Sequence, residues 1–351
     1  MMKFFQKLSF GAGARVRFYN NMSMLLENRV QLIDALKQII VIMEKNKKSR
    51  SAEAKVAMAC YEALSQGESF STGLEDWVPA SEIALIAAGE TSGELERCLK
   101  DAIRLIEGVA QIRKAVIGAA IYPSVLIIML SCLLHIIADS LVPKLAAVAS
   151  PDTWEGAAYI LYVIAEVTTN YGVYILAGVI GSIVAILFSF RFLNGSIRII
   201  LDKLPPWSVY RAVHGCIFLL NLSLLLRAGV RLQAALELLY VKADTKWLLS
   251  RIDAILQGIS SGFSLGEAMS DSAYVFPDEE SVCYVQLLCV LQGFEESLIR
   301  FSTHWLEKTV AKVKTAAAMF LLASVLTMGV TLGLVVLGVS GIESAIQQSV
   351  Q

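Results

Sequence analysis

Gly89-Glu-Thr-Ser-Gly-Glu-Leu95 is the stretch whose residue types most invite a chemical reading. Two glycines bound a turn, and Glu90 and Glu94 place acidic points beside a helix start. Gly89, Glu90, Gly93 and Glu94 are therefore candidates for a polar contact with a partner protein. A plain helix–helix turn is the alternative, because motifs this short recur by chance. The glycines account for a turn by themselves, whereas nothing local in the sequence calls for the acid at Glu90. Catalytic chemistry has less to stand on. His135, His214 and His304 are isolated, and Cys60, Cys98, Cys132, Cys216, Cys283 and Cys289 lack metal-ligand spacing. No Gly-x-x-x-x-Gly-Lys cradle for phosphates and no Gly-x-Ser-x-Gly elbow occurs. Ser124, Ser131 and His135 are the only polar set that an intramembrane enzyme could draw on. We expect no enzyme, no cofactor and no resident metal.

The elements that position this corner occur twice. Gly67-Glu-Ser-Phe-Ser-Thr-Gly73 is restated as Gly262-Phe-Ser-Leu-Gly-Glu-Ala268, and Val78-Pro79 as Phe276-Pro277. Upstream, Leu25-Leu26-Glu-Asn-Arg-Val30 lies against Leu225-Leu226-Arg-Ala-Gly-Val230. Two copies of one domain follow. Gly67, Ser69, Pro79 and their counterparts Gly262, Ser264 and Pro277 are read as structural, since both copies must fold. Thr91-Ser-Gly-Glu94 and Ser264-Leu-Gly-Glu267 both have capping-box spacing. Pro79 and Pro277 suit a first helical turn, and the acids after them suit its positive dipole end. At the first break Asn28-Arg29 stands where the second copy has Gly229, and Asn is the residue expected to take the left-handed conformation.

Apolar positions recur at helical spacing with no alternating strand pattern, so the fold class is all-α: two repeated antiparallel helical bundles plus three transmembrane helices. The chain has 351 residues, is 56% hydrophobic and 17% charged, with mean hydropathy +0.61, which suits a part-membrane, part-aqueous protein. Ala115 to Ala138 carries no charge, about 36 Å of helix, enough for the roughly 30 Å hydrocarbon core. The boundaries expected are a basic tail at 1–14, a first helical domain at 15–114, and a first span at 115–141. A loop at 142–170, a second span at 171–190 and a second helical domain at 191–314 follow. A third span at 315–342 and a tail at 343–351 complete the chain. The N-terminus lacks a signal-peptide pattern and is expected to be retained. Lys144 is the only basic residue between the first two spans, while Arg191, Arg198, Lys203 and Arg211 follow the second. The positive-inside rule then puts both repeats in the cytoplasm and the C-terminus outside. Tyr122-Pro123 and the Gly329-x-x-x-Gly333 pair are candidates for packing between spans. Net charge is −1, so nucleic acid is a poor partner.

With these residues in hand the chain resembles the inner-membrane platform proteins of type IV pili and type II secretion systems, the PilC/GspF family. The resemblance rests on two helical domains each ahead of a span, Gly67-x-Ser-Phe and Gly262-x-Ser-Leu, Gly89-Glu-x-x-Gly93-x-Leu95, and Tyr122-Pro123. The second copy departs from the pattern with Gln292-Gly-Phe-Glu-Glu-Ser-Leu298, and the resemblance suggests a plasmid or type IVb pilus variant. It implies a bacterial inner-membrane scaffold that couples a cytoplasmic hexameric assembly ATPase to pilin insertion at the filament base. Expected partners are that ATPase, pilin subunits, other inner-membrane components, a second copy of the chain and membrane lipid. A small polytopic transporter or channel is the alternative; it needs polar or broken helices at the midplane, and the spans are uncharged.

Overall fold

Periodic apolar residues separated by short polar breaks become helices, and every secondary element among the described residues is helical. A computed structural model describes residues 10–45, 51–147, 154, 156–193, 195–204, 206–243, 245–274 and 276–349. The basic loop 46–50, most of the basic tail and the last two residues lie outside them. The first repeat is α1 (Ala12–Glu27), α2 (Leu32–Lys45), α3 (Ala52–Ser65), α4 (Phe70–Leu74), α5 (Ala80–Ser92) and α6 (Leu95–Ile136). A π-helical turn (Ile137–Leu141) and α7 (Val142–Ala146) follow, then α8 (Ala157–Phe192) and α9 (Ser196–Leu201). The second repeat has the same order: α10 (Trp207–Arg227), α11 (Leu232–Lys242), α12 (Lys246–Ser260), α13 (Leu265–Asp271), α14 (Glu279–Cys289) and α15 (Phe294–Ser349).

Two compact units result. One takes Met1–Ile112 with Arg191–Thr309, and the other Arg113–Phe190 with Val310–Gln351. Both repeats therefore share one unit, in which α5 packs against α10 and α11. The first repeat closes over Phe18, Tyr19, Met22, Leu36, Val56, Phe70, Leu85 and Ile86, all buried. The second closes over Trp247 and Phe276, whose rings meet edge to face at 5.6 Å between centroids. Local sequence explains the corners. Gly67 and Gly262 take φ of 81° and 90°, a region closed to most L-residues. The next-but-one residues, Ser69 and Ser264, then cap α4 and α13 through Thr72 N and Glu267 N.

Several expectations change. Arg29, not Asn28, takes the left-handed conformation, at φ 61°, opposite Gly229 at 88°. Pro79 is the N-cap of α5 rather than a first-turn residue, and Asp278 caps α14 one residue after Pro277. Thr91 makes no capping box: it lies inside α5 and donates to the Ala87 carbonyl at 2.8 Å. Ser264 and Glu267 do form one, with Glu267 Oε2 accepting from Ser264 N at 2.8 Å. The stretch expected as a loop at 142–170 is largely helical where described. Its buried residues Val142, Trp154, Ala158, Leu161 and Ala165 form one apolar cluster with Ile137 and Ala138.

In the second unit Tyr122 and Pro123 fall inside the uninterrupted α6; their side chains lie outside the described ones. No atom stands within 4 Å of a Cβ placed on Gly329 or Gly333, whereas one on Gly338 would meet Leu161 at 3.0 Å. The described close approach is thus at Gly338, and among the described residues nothing packs against the glycine pair. Among the described residues four helices are long and apolar enough to cross a membrane: α6, α8, α10 and α15. Within α10, however, 56% of the most apolar window is buried inside the fold, against 0% for α8 and α15.

Candidate partner-binding surface

The corner from Gly89 to Leu95 is built differently from its sequence appearance. Gly89 is not a turn residue; it is buried in α5, and a Cβ there would stand 2.5 Å from the Cys98 Cβ. The glycine lets α5 lie directly on α6. The chain reverses only at Gly93, the C-cap of α5, with φ 78°.

Glu90 turns inward to its own domain. Its Oε1 accepts from the Phe70 amide at 2.6 Å, and its Oε2 accepts from the Ser71 amide at 3.2 Å and the Ser71 hydroxyl at 3.1 Å. These amides open α4, so the carboxylate satisfies orphan donors and sits at a positive dipole end. The reading that nothing local requires this acid is overturned, because the amides that need it are about 20 residues back in sequence. In the second repeat the same helix start is served by Glu267 of its own capping box.

The exposed part of the corner is Thr91 to Glu94, of which Glu94 accepts from Arg97 Nη1 at 3.0 Å. Arg97 Nη2 also donates to Glu296 of the second repeat at 3.3 Å. One turn on, Asp101 is buried and receives Arg227 Nε at 3.0 Å, with Arg227 Nη2 donating to its other oxygen. Arg104 donates to Asp101 Oδ1 at 3.1 Å. A charged seam thus binds α6 to α10 and α15. Sequence reading missed Asp101, though an acid between Leu99 and Ala102, both core residues, was the available signal.

Two further buried polar groups were also missed. In the first repeat Glu82 accepts from the Tyr19 hydroxyl at 2.9 Å and pairs with Arg15 at 3.1 Å. Burial pushes the Glu82 carboxyl up to about 7, against the opposing pull of the Arg15 charge. In the second repeat Asp202 lies between Arg198 Nε at 3.0 Å and Arg251 Nη2 at 2.8 Å, and accepts from Trp247 Nε1 at 3.0 Å. Burial draws the Arg251 guanidinium down to about 10, with Asp202 opposing. The signal here was the i, i+4 spacing of Arg198 and Asp202 on one helical face.

The repeats differ in what they leave open. The α5 face is covered by α10 and α11, while on α14 and just beyond it Tyr284, Leu287, Val290 and Leu291 are exposed. Among the described residues, no three His, Cys, Asp or Glu side chains gather as a metal site. The family model described as "Type II secretion system (T2SS), protein F" matches residues 18–143 and again 218–340. The chain is also similar to the toxin coregulated pilus biosynthesis protein E of Vibrio cholerae serotype O1, 22% identical over 323 residues, which span 90% of this chain and 92% of that protein.

Proposed function

The chain belongs to the family of type II secretion system protein F, inner-membrane components of pilus and secretion machines, and from that premise we propose that it couples a cytoplasmic assembly ATPase to the insertion of pilin subunits at a filament base. The observation that carries the reading is helix continuity. α6 runs unbroken over Leu95–Ile136 and α15 over Phe294–Ser349, so each repeat continues into an apolar stretch with no intervening loop. A helix transmits displacement along its axis without a hinge to absorb it, unlike a loop. Similarity to a pilus biosynthesis protein favours a pilus over a secretion system.

In this reading the chain crosses the membrane three times, through α6, α8 and α15. Both repeats are cytoplasmic and the C-terminus is periplasmic, as the positions of Lys and Arg favour. The platform works as a homo-oligomer, and contact with the ATPase or a neighbouring subunit falls at the exposed Glu94 end of the first repeat's corner, not at Glu90. The chain supplies no catalysis. Deletion of the gene should abolish filaments, and wild-type chain should restore them and retain the ATPase on purification in mild detergent. Filaments that persist in the deletion strain would refute the platform role. An ATPase that never copurifies, even from crosslinked membranes, would refute the coupling.

A further inference from the structure

Helix α9 has two unlike faces. Arg198 and Asp202, fully buried, grip α12 through Arg251 and Trp247. On the other side Ile197 is 66% exposed, Ile200 67% and Leu204, just past the helix, 55%. Ile197 and Ile200, three residues apart, share one stripe of the helix, and Leu204 after it and Phe192 before it, 63% exposed, extend the exposed apolar surface. Water is a poor solvent for such a stripe.

We propose that this stripe lies in the cytoplasmic face of the bilayer, at the boundary between headgroups and acyl chains, with the lipid surface as its partner. Chain length argues for that occupant. α8 ends at Phe192 and α9 begins at Ser196, so at most about 14 Å of extended chain separates them. Gly195, just ahead of α9, takes φ 93°, a conformation open to glycine. A helix tied so closely to the end of a span meets the membrane surface first. Lys203 and Arg211 line a neighbouring cleft of about 530 Å³ together with Asp278, Glu279 and Glu280. Long basic side chains suit the headgroup level, and the mixed charge of the cleft makes binding depend on the apolar stripe rather than on acidic lipid. α9 then fixes the second repeat at the membrane surface, since its inner face is bolted into the core beside Trp247.

The inference rests on the reading that α8 spans the bilayer, so the test carries a control for it. The full chain, with Cys132, Cys283 and Cys289 changed to serine, receives one new cysteine at a time: Ile200→Cys, Ile197→Cys, Val179→Cys within α8, or Val241→Cys on α11. Each is labelled with an environment-sensitive fluorophore and reconstituted in nanodiscs of phosphatidylethanolamine and phosphatidylglycerol. Quenching by nitroxide-bearing lipid and by aqueous iodide is then measured. Labels at 200 and 197 are expected to be quenched at least threefold more by lipid nitroxide than the label at 241, which iodide should reach. If both labels respond to iodide as 241 does, or are shielded from both quenchers, the proposal is overturned. If the label at 179 is quenched by lipid in that same experiment, the spanning reading survives that failure. If 179 is reached by iodide alone, the spanning reading fails as well and the proposal falls with it.

Discussion

A single carboxyl, Glu82, makes the first repeat sensitive to pH. Its folded value of about 7 lies above the ordinary 4.5, so between those two values the folded chain binds more protons than the unfolded one. Stability from this group is present in full below about 4.5 and is lost as pH rises through about 7. A shift of that size corresponds to roughly 3 kcal/mol. The melting temperature of the detergent-solubilised chain should therefore fall between pH 5 and pH 7.5. Glu82→Gln should flatten that part of the profile, since an amide still accepts from the Tyr19 hydroxyl without carrying a charge. An unchanged slope in the variant would assign the pH dependence to other groups.

At the level of elements, the two repeats solve one problem in two ways. The start of α4 borrows Glu90 from α5, whereas the start of α13 uses Glu267 three residues along its own chain. Thr72 occupies the position in the first repeat that Glu267 holds in the second. Glu90→Lys removes an acceptor from the Phe70 and Ser71 amides and brings a cation to a positive helix end, at an expected cost of about 2 to 4 kcal/mol. Glu90→Gln should cost about 1 kcal/mol, because one acceptor remains. Adding Thr72→Glu to Glu90→Gln should recover about 0.5 to 1 kcal/mol by building the missing capping box. Denaturant unfolding of the three variants checks this order. A Glu90→Lys protein as stable as wild type would show that the carboxylate contributes nothing to folding and would return it to a contact role.

For the whole molecule, the decisive question is how many of the four apolar helices cross the bilayer. A fourth crossing through α10 would place α11 to α14 on the other side from α1 to α5. The two repeats share one compact unit, joined by Asp101–Arg227 and Arg97–Glu296, and the proposed topology therefore keeps them on one side. Reporter fusions read this directly. A fusion after Ser261 should be active only with a cytoplasmic reporter, and fusions after Ala147 and Gln351 only with a periplasmic one. Periplasmic activity at Ser261 would overturn the three-span scheme.

The sequence by itself determined the all-α class, the duplication, the apolar stretches and the breaks at Gly67 and Gly262, because those follow from local periodicity and from glycine at fixed offsets. The capping box at Ser264 was legible for that reason too, while Ser69 was read as structural without its role as a cap. What tertiary structure alone decided is which face of each element meets which neighbour. Thr91-x-x-Glu94 has the same spacing as Ser264-x-x-Glu267, yet α5 simply continues past Thr91. Glu90 looked free because its donors are amides on another helix, and hydrogen-bond donors on a backbone carry no residue signature. α10 has the length and hydropathy of a span, although the sequence reading left it in the second helical domain, and 56% of its most apolar window is buried inside the fold. Apolar side chains leave water for lipid or for protein interior with similar gain, so composition cannot tell the two destinations apart and only the neighbours can.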